Sequence, residues 1–201
     1  LNDYPTRETL LLRIRDQDDE RAWAEFVEIY TPLIFNFCLR RGIAEQDAAD
    51  VLQETMRAIA RAIKNFEYDP ERGTFRSWLY SVARSKLNNF FRDRARQPLN
   101  TDTRELDQTA ANEEKDWDLE YRRQIFKWAS DSVRGEFQDQ TWAAFWRTAV
   151  EEDSAGDVAR DLDMKIGSIY TARSRVIARL REKIATVTGE SDFPEALIST
   201  G

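Results

Sequence analysis

Histidine is absent from the 201 residues and cysteine occurs once. Together these absences remove the usual zinc sites and any acid–base or triad chemistry that needs an imidazole. No glycine-rich phosphate loop occurs. The abundant Asp and Glu fall into no recognisable catalytic pairing. Neither an enzyme nor a bound metal or cofactor is expected. The one thiol, Cys38, lies in the apolar run LIFNFCL and reads as buried and structural. A lone cysteine allows no intrachain disulfide, which fits a reducing cytoplasm. No apolar run approaches a bilayer span and no charged-then-apolar leader opens the sequence. A cytoplasmic protein without membrane insertion is expected.

Glycine and proline are also scarce, 7 and 5 residues, whereas Ala, Leu, Arg and Glu abound. That balance predicts an all-α chain. With 41% hydrophobic and 33% charged residues, it can bury a core and remain soluble, as one or two small domains. The net charge of −7 argues against simple nucleic-acid binding, but its distribution argues the other way. Basic residues gather at Arg76, Arg84, Lys86, Arg92, Arg94 and Arg96, and again at Lys165, Arg173, Arg175, Arg179, Arg181 and Lys183. Between these stretches lies an acidic connector with Asp102, Glu105, Asp107, Glu113, Glu114, Asp116, Asp118 and Glu120. Two basic segments flanking one acidic segment suggest two nucleic-acid contacts, assisted by a larger partner.

Along the chain, periodicity predicts a first helix over residues 8–15. Asp18 or Asp19 caps a second, which buries Trp23, Phe26, Val27 and Tyr30. Pro32 is expected to open a further helix that stops at Gly42. Residues 45–64 form a long amphipathic helix burying Ala48, Val51, Leu52, Met56 with Thr55, Ile59 and Ile63. Its outer face carries Asp47, Asp50, Gln53, Glu54, Arg57 and Arg61. Acids in the first turns suit the helix dipole, but followed by arginines on a similar face they also suit a protein-docking surface. After a loop over residues 65–74 comes FRSWLYSVARSKLNNFFRDRAR, a helix burying Phe75, Trp78, Leu79, Val82, Ala83, Leu87 and Phe90. It shows Arg76, Tyr80, Arg84, Lys86, Asn88, Asn89 and Arg92 elsewhere, a mixture suited to single-stranded DNA. Residues 97–120 read as a linker or disordered connector. Helices resume over 119–133 and 136–150, and the tail after Ile184 is expected to fray.

The final helical stretch, AGDVARDLDMKIGSIYTARSRVIARLREK, reads as a helix-turn-helix. Asp163 occupies the turn, where it tolerates the left-handed conformation. The second helix, starting near Gly167 or Ser168, buries Ile169, Ala172, Val176, Ile177, Leu180 and Ile184. Its other face carries Ser168, Tyr170, Thr171, Arg173, Ser174, Arg175 and Arg179, with Lys165 just before it. A helix-turn-helix can sit in a domain that touches no DNA, and arginine-rich faces are often only solvated.

Taken in order, DAADVLQE (residues 47–54), FRSWLYSVARSKLNNFFRDRAR (75–96) and VARDLDMKIGSIYTARSRVIARLRE (158–182) resemble the extracytoplasmic-function (group IV) sigma factors of bacterial RNA polymerase. The resemblance implies sigma domain two over residues 1–97, an acidic linker over 98–118, sigma domain four over 119–187 and a flexible tail over 188–201. It implies that Asp47, Asp50, Gln53, Glu54 and Arg57 dock on the clamp helices of core RNA polymerase. It assigns the loop at 65–74 and the helix after it, with Arg76, Tyr80, Arg84, Lys86, Asn88, Asn89 and Arg92, to capture of the melted minus-ten strand. Lys165, Ser168, Tyr170, Thr171, Arg173, Ser174, Arg175 and Arg179 would read the minus-thirty-five duplex of promoter DNA. Members of the family are often held by an anti-sigma factor. The sequence departs from the family at Ala172, where an arginine is usual, and at Ser85, where an asparagine is frequent. A free-standing helix-turn-helix regulator of duplex operators is the alternative, and a pure protein-interaction module a third reading.

Overall fold

A computed structural model describes residues 9–65, 74–95 and 110–188. Among these residues every regular element is a helix. The elements are α1 (Leu10–Arg13), α2 (Glu20–Arg40), α3 (Glu45–Ala62), α4 (Phe75–Ala95), α5 (Ala110–Val133), α6 (Asp139–Ala149), α7 (Ala155–Asp161) and α8 (Ile166–Thr188). Short 3-10 turns follow α3 and α5. The described chain divides into two compact units, Leu10–Gln124 and residues 125–188, and the boundary falls within α5.

In the first unit α1 is one turn long, shorter than periodicity predicts. Asp19 caps α2, its carboxylate accepting from the Ala22 N–H at 2.9 Å and from Arg13 Nε at 3.0 Å. Those two bonds, the backbone one first, hold its carboxyl below the usual range. The helix expected to restart at Pro32 does not. Pro32 lies inside a continuous α2. Proline forfeits one backbone bond there. The buried stripe Phe26, Ile29, Tyr30, Leu33, Ile34, Phe37 and Cys38 runs through it, and one helix buries that stripe better than two. Val27, expected inside, is 44% exposed, because it sits off this stripe. Trp23 is half-buried. Gly42 ends the helix as expected, at φ 76°, with its N–H bonded to Leu39 O.

On α3 the deep line is Ala48, Val51, Thr55 and Ile59, continued by Ile63 beyond it, with Leu52 and Met56 half-buried beside it. Thr55 can lie there because its hydroxyl donates to Val51 O at 2.7 Å. On α4, Phe75, Leu79, Ala83 and Leu87 are buried, as expected, whereas Trp78, Val82 and Phe90 are half-buried. Tyr80, expected on the outer face, is buried as well.

The larger departure is α5. Residues 110–118, expected to be part of a linker, are helical, and their unit extends to Gln124. Trp117 is 2% exposed, its ring edge-on to Phe37 at 5.2 Å and tilted to Tyr80 at 5.6 Å. Tyr121 meets Tyr30 at 6.1 Å. Burial of two large aromatics, about 1.5–3 kcal/mol apiece, outweighs the low apolar content of the segment.

Burial pushes the Cys38 thiol up to about 11. Its thiolate fraction at pH 8 should be about a hundredfold below that of a free cysteine. A thiol reagent should label the native chain only as fast as it opens and label it at once in denaturant. Rapid native labelling would contradict the burial.

In the second unit α6 packs on α8, and Phe145, Ala149, Val176, Leu180 and Ile184 are buried. The helix expected over 136–150 is a 3-10 turn at Arg134–Glu136 followed by α6. The fraying expected after Ile184 does not occur before Thr188, because Val187 and Thr188 are themselves buried.

Candidate nucleic-acid and partner interfaces

The expected docking surface on α3 separates into two parts. Asp50, Gln53, Glu54 and Arg57 are exposed, and their i, i+3, i+4, i+7 spacing puts them in one outward stripe. Arg57 holds its own stripe in place, reaching Glu54 Oε1 at 2.5 Å and Gln53 Oε1 at 3.4 Å. Asp47 is half-buried, and Arg94 of α4 donates to it at 2.6 Å. The pair ties α3 to α4. Arg94, expected among the basic residues of a nucleic-acid contact, is engaged by a carboxylate 47 positions away, a pairing that no local pattern shows.

The residues expected to meet single-stranded DNA also fall into two sets. Asn88 and Arg92 are exposed, Lys86 and Asn89 half-buried, and Arg92 donates to Asn89. Arg76, Tyr80 and Arg84 form another stripe, one turn apart, which faces α5. Arg76 meets Asp118 at 2.8 Å and lies over the Tyr121 ring. Tyr80 lies 3.5 Å from Glu113 Oε2, and Arg84 stands 3.8 Å from the same oxygen. Desolvation raises the Tyr80 phenol above its ordinary range, so it stays a neutral donor. The loop assigned to base capture lies largely outside the described residues, at 66–73.

The helix-turn-helix is α7, a tight turn and α8. Ser154 caps α7 by accepting from the Asp157 N–H. Asp163 has φ 51°, the left-handed turn expected of it, and Met164 N–H bonds Ala159 O at 2.9 Å. Gln140 of α6 donates to Leu162 O at 2.6 Å, closing the end of α7. Arg147 meets Asp153 at 2.7 Å and Asp161 at 2.9 Å, fixing α7 to α6. Behind the turn Ala144, Val158, Ala159, Ile169 and Ala172 make one buried cluster. Ala172 is thus a crossing residue, and a close approach of helices there favours a small side chain. The second helix begins at Ile166, a residue earlier than expected, and Ile177 is only half-buried.

Ser168, Tyr170, Thr171, Ser174 and Arg175 are exposed on α8, Lys165 is exposed just before it, and Arg173 is half-buried. Thr171 spends its hydroxyl on Gly167 O at 2.9 Å. Ile166, not foreseen as a contact residue, is 52% exposed one turn before Tyr170 at 54%. The apolar pair stands amid polar donors, the mixture that reads base edges and thymine methyls in a major groove. Arg179 stands apart. It grips Glu136 with Nε at 2.6 Å and Nη2 at 2.8 Å, and that bond holds the Glu136 carboxyl below its usual range. The stabilisation is complete at neutral pH and fades as pH falls through the depressed value. Arg179→Ala should therefore cost about 0.5–1 kcal/mol of stability without changing base preference. Arg175→Ala should change duplex affinity with the fold intact. Competition binding with scrambled duplexes checks both; altered sequence preference in the Arg179 variant would overturn its assignment as an anchor.

The description of Sigma-70 region 2 matches residues 26–97, which span most of α2 and all of α3 and α4. The ECF RNA polymerase sigma factor SigE of Mycolicibacterium smegmatis is 24% identical over 193 residues, 94% of this chain and 72% of that protein. The ECF RNA polymerase sigma-E factor of Haemophilus influenzae is 28% identical over 89% of this chain and 93% of its own length. CnrH, solved in complex with the cytosolic domain of CnrY, is 23% identical with a TM-score of 0.36, covering 85% of this chain and 92% of that one. A region-2 helical unit followed by a helix-turn-helix unit defines an RNA polymerase sigma factor, a protein that directs transcription initiation. The relatives that the chain matches over most of its length are ECF sigma factors. Among the described residues no helix is long and apolar enough to cross a membrane.

Proposed function

We propose that this sigma factor acts in the cytoplasm by binding alone, placing core polymerase on a promoter through two separately folded readers. The unit Leu10–Gln124 does the work of sigma domain two. It docks through the outward α3 stripe Asp50, Gln53, Glu54 and Arg57, and Lys86, Asn88, Asn89 and Arg92 of α4 help hold the melted minus-ten strand. A charged stripe on a rigid helix gives register and on-rate against a charged partner helix. Strand capture needs cations for phosphate and planar or amide groups for unstacked bases, since unstacking costs a few kcal/mol. The second unit does the work of sigma domain four, with Lys165, Ser168, Tyr170, Thr171, Arg173, Ser174 and Arg175 presented to the minus-thirty-five major groove.

The observation that carries this reading is the outward face of α8, held on the buried Ala144–Val158–Ala159–Ile169–Ala172 cluster. A recognition helix with its apolar side locked presents the other side without further ordering cost. The test is to mix the chain with core RNA polymerase, follow co-elution, and transcribe a pool of genomic fragments. Co-elution with new start sites supports the reading. Failure to co-elute, with specific duplex binding by the chain alone, would replace it with an operator-binding regulator.

A further inference from the structure

Four arginines converge on one face of the first unit, two from the end of α2 and two from α4. Each meets a carboxylate of α5. Arg40 reaches Glu120 at 2.7 Å, Arg76 reaches Asp118 at 2.8 Å, and Arg41 and Arg84 share Glu113. Glu113 is 7% exposed, unusually deep for a carboxylate. Between these pairs Trp117 enters the aromatic floor made by Phe37 and Tyr80. Arginines with an aromatic floor are what a nucleic-acid strand asks of a protein, cations for its phosphates and rings for its bases. The first half of α5 meets the same demands with carboxylates and an indole.

We propose that residues 110–124 are an intramolecular stand-in for the promoter strand, seated on the Arg40–Arg41–Arg76–Arg84 face of the free chain and displaced when that face takes single-stranded DNA. The proposal rests on the sigma-factor reading of the unit and extends it. It accounts for why Arg76, Tyr80 and Arg84, which lie on the strand-binding helix, are turned to a protein helix. It also accounts for the imperfect seat. Trp117 Nε1, Glu113 Oε1, Arg41 Nε and Arg84 Nε are all buried without a hydrogen-bond partner. Unpaired buried donors and acceptors lower the stability of the seated state, so the helix can be released. A permanent core contact would be apolar or fully paired. Release would free four guanidiniums and a ring surface at once.

The test compares two triple variants of the full chain that remove the same charge. Glu113→Gln with Asp118→Asn and Glu120→Gln strips the covering helix. Glu20→Gln with Glu28→Gln and Glu45→Gln strips exposed acids elsewhere in the same unit. Binding of a fluorescent single-stranded oligonucleotide is measured at low and moderate salt. The first variant should bind about tenfold tighter than the wild type and with a steeper salt dependence, the control no more than about twofold tighter. Equal gains in the two variants would reduce the effect to net charge and overturn the proposal. Because Glu113 is buried, the milder Asp118→Asn with Glu120→Gln is run beside it, with circular dichroism to show that both fold. Amides of residues 110–124 in the wild type should lose hydrogen-exchange protection when the oligonucleotide is added; protection unchanged at saturation also overturns it. The same proteins are assayed for transcription with core polymerase. Silence of all of them, wild type included, would sink the sigma-factor reading, whereas active proteins with indistinguishable strand binding would sink the covering helix alone.

Discussion

Asp50→Lys combined with Glu54→Lys should weaken binding to core RNA polymerase about a hundredfold, roughly 3 kcal/mol, with no measurable loss of fold. Both side chains are exposed and one turn apart on α3, so reversing them strains nothing inside the unit. Among the described residues neither holds a long-range contact. Glu54 pairs with Arg57 on its own helix, and such surface pairs contribute little to stability. Asp47 makes the useful contrast. Its carboxylate bonds Arg94 across the α3–α4 contact, so Asp47→Ala should lower thermal stability more than polymerase affinity. Anisotropy titration of labelled chain with core enzyme, beside thermal melts, separates the two. Undiminished affinity in the double reversal would mean that the polymerase is held elsewhere.

Phe145→Ala should destabilise the helix-turn-helix unit by about 3–5 kcal/mol, enough to lower its melting temperature by 10 °C or more. Phe145 is fully buried in α6, with its ring 5.3 Å from Trp142 and 6.4 Å from Trp146. It stands beside Ala144 of the cluster that holds α7 and α8. The cavity would loosen the support of the recognition helix. The functional consequence should be selective. Transcription from promoters that need the minus-thirty-five contact should fail while co-elution with core polymerase persists, because the docking stripe belongs to the other unit. Loss of co-elution in parallel with promoter use would show that the two units do not work separately.

The parts legible in the sequence were those written in local chemistry. Gly42 ends α2 because a left-handed residue is needed there, and Asp163 turns between α7 and α8 for the same reason. Asp19 caps α2 through a bond to a residue three places on. The apolar face of α8 follows a 3.6-residue period, and it placed the recognition helix to within about a residue. The proline inside α2 misled because a local penalty was weighed without the long buried stripe that offsets it. The first half of α5 was illegible for a related reason. Its buried line, Glu113, Trp117 and Tyr121, is one residue wide, flanked by charges, and opened by a carboxylate. Read alone, Glu113 is one more solvated acid. Only arginines 29 and 72 residues upstream make it an interior residue. For the candidate sites, residue types on each outward face were readable, but occupation was not. Arg76, Arg84 and Arg179 look like free cations in the sequence, and each is engaged by a carboxylate distant in the chain.

The placement of Trp117 and Tyr121 also orders events during synthesis. A chain emerging from the ribosome would have its first three long helices outside well before the segment that covers them. Helical units built from neighbouring elements fold quickly and domains form as they emerge. Here the first unit cannot close until residue 124 is free. Until then the ring of Phe37 and the arginines at the end of α2 face the surroundings. A ribosome from which α4 has emerged but α5 has not would hold the proposed strand-binding face uncovered, next to the very nucleic acids that such a face attracts.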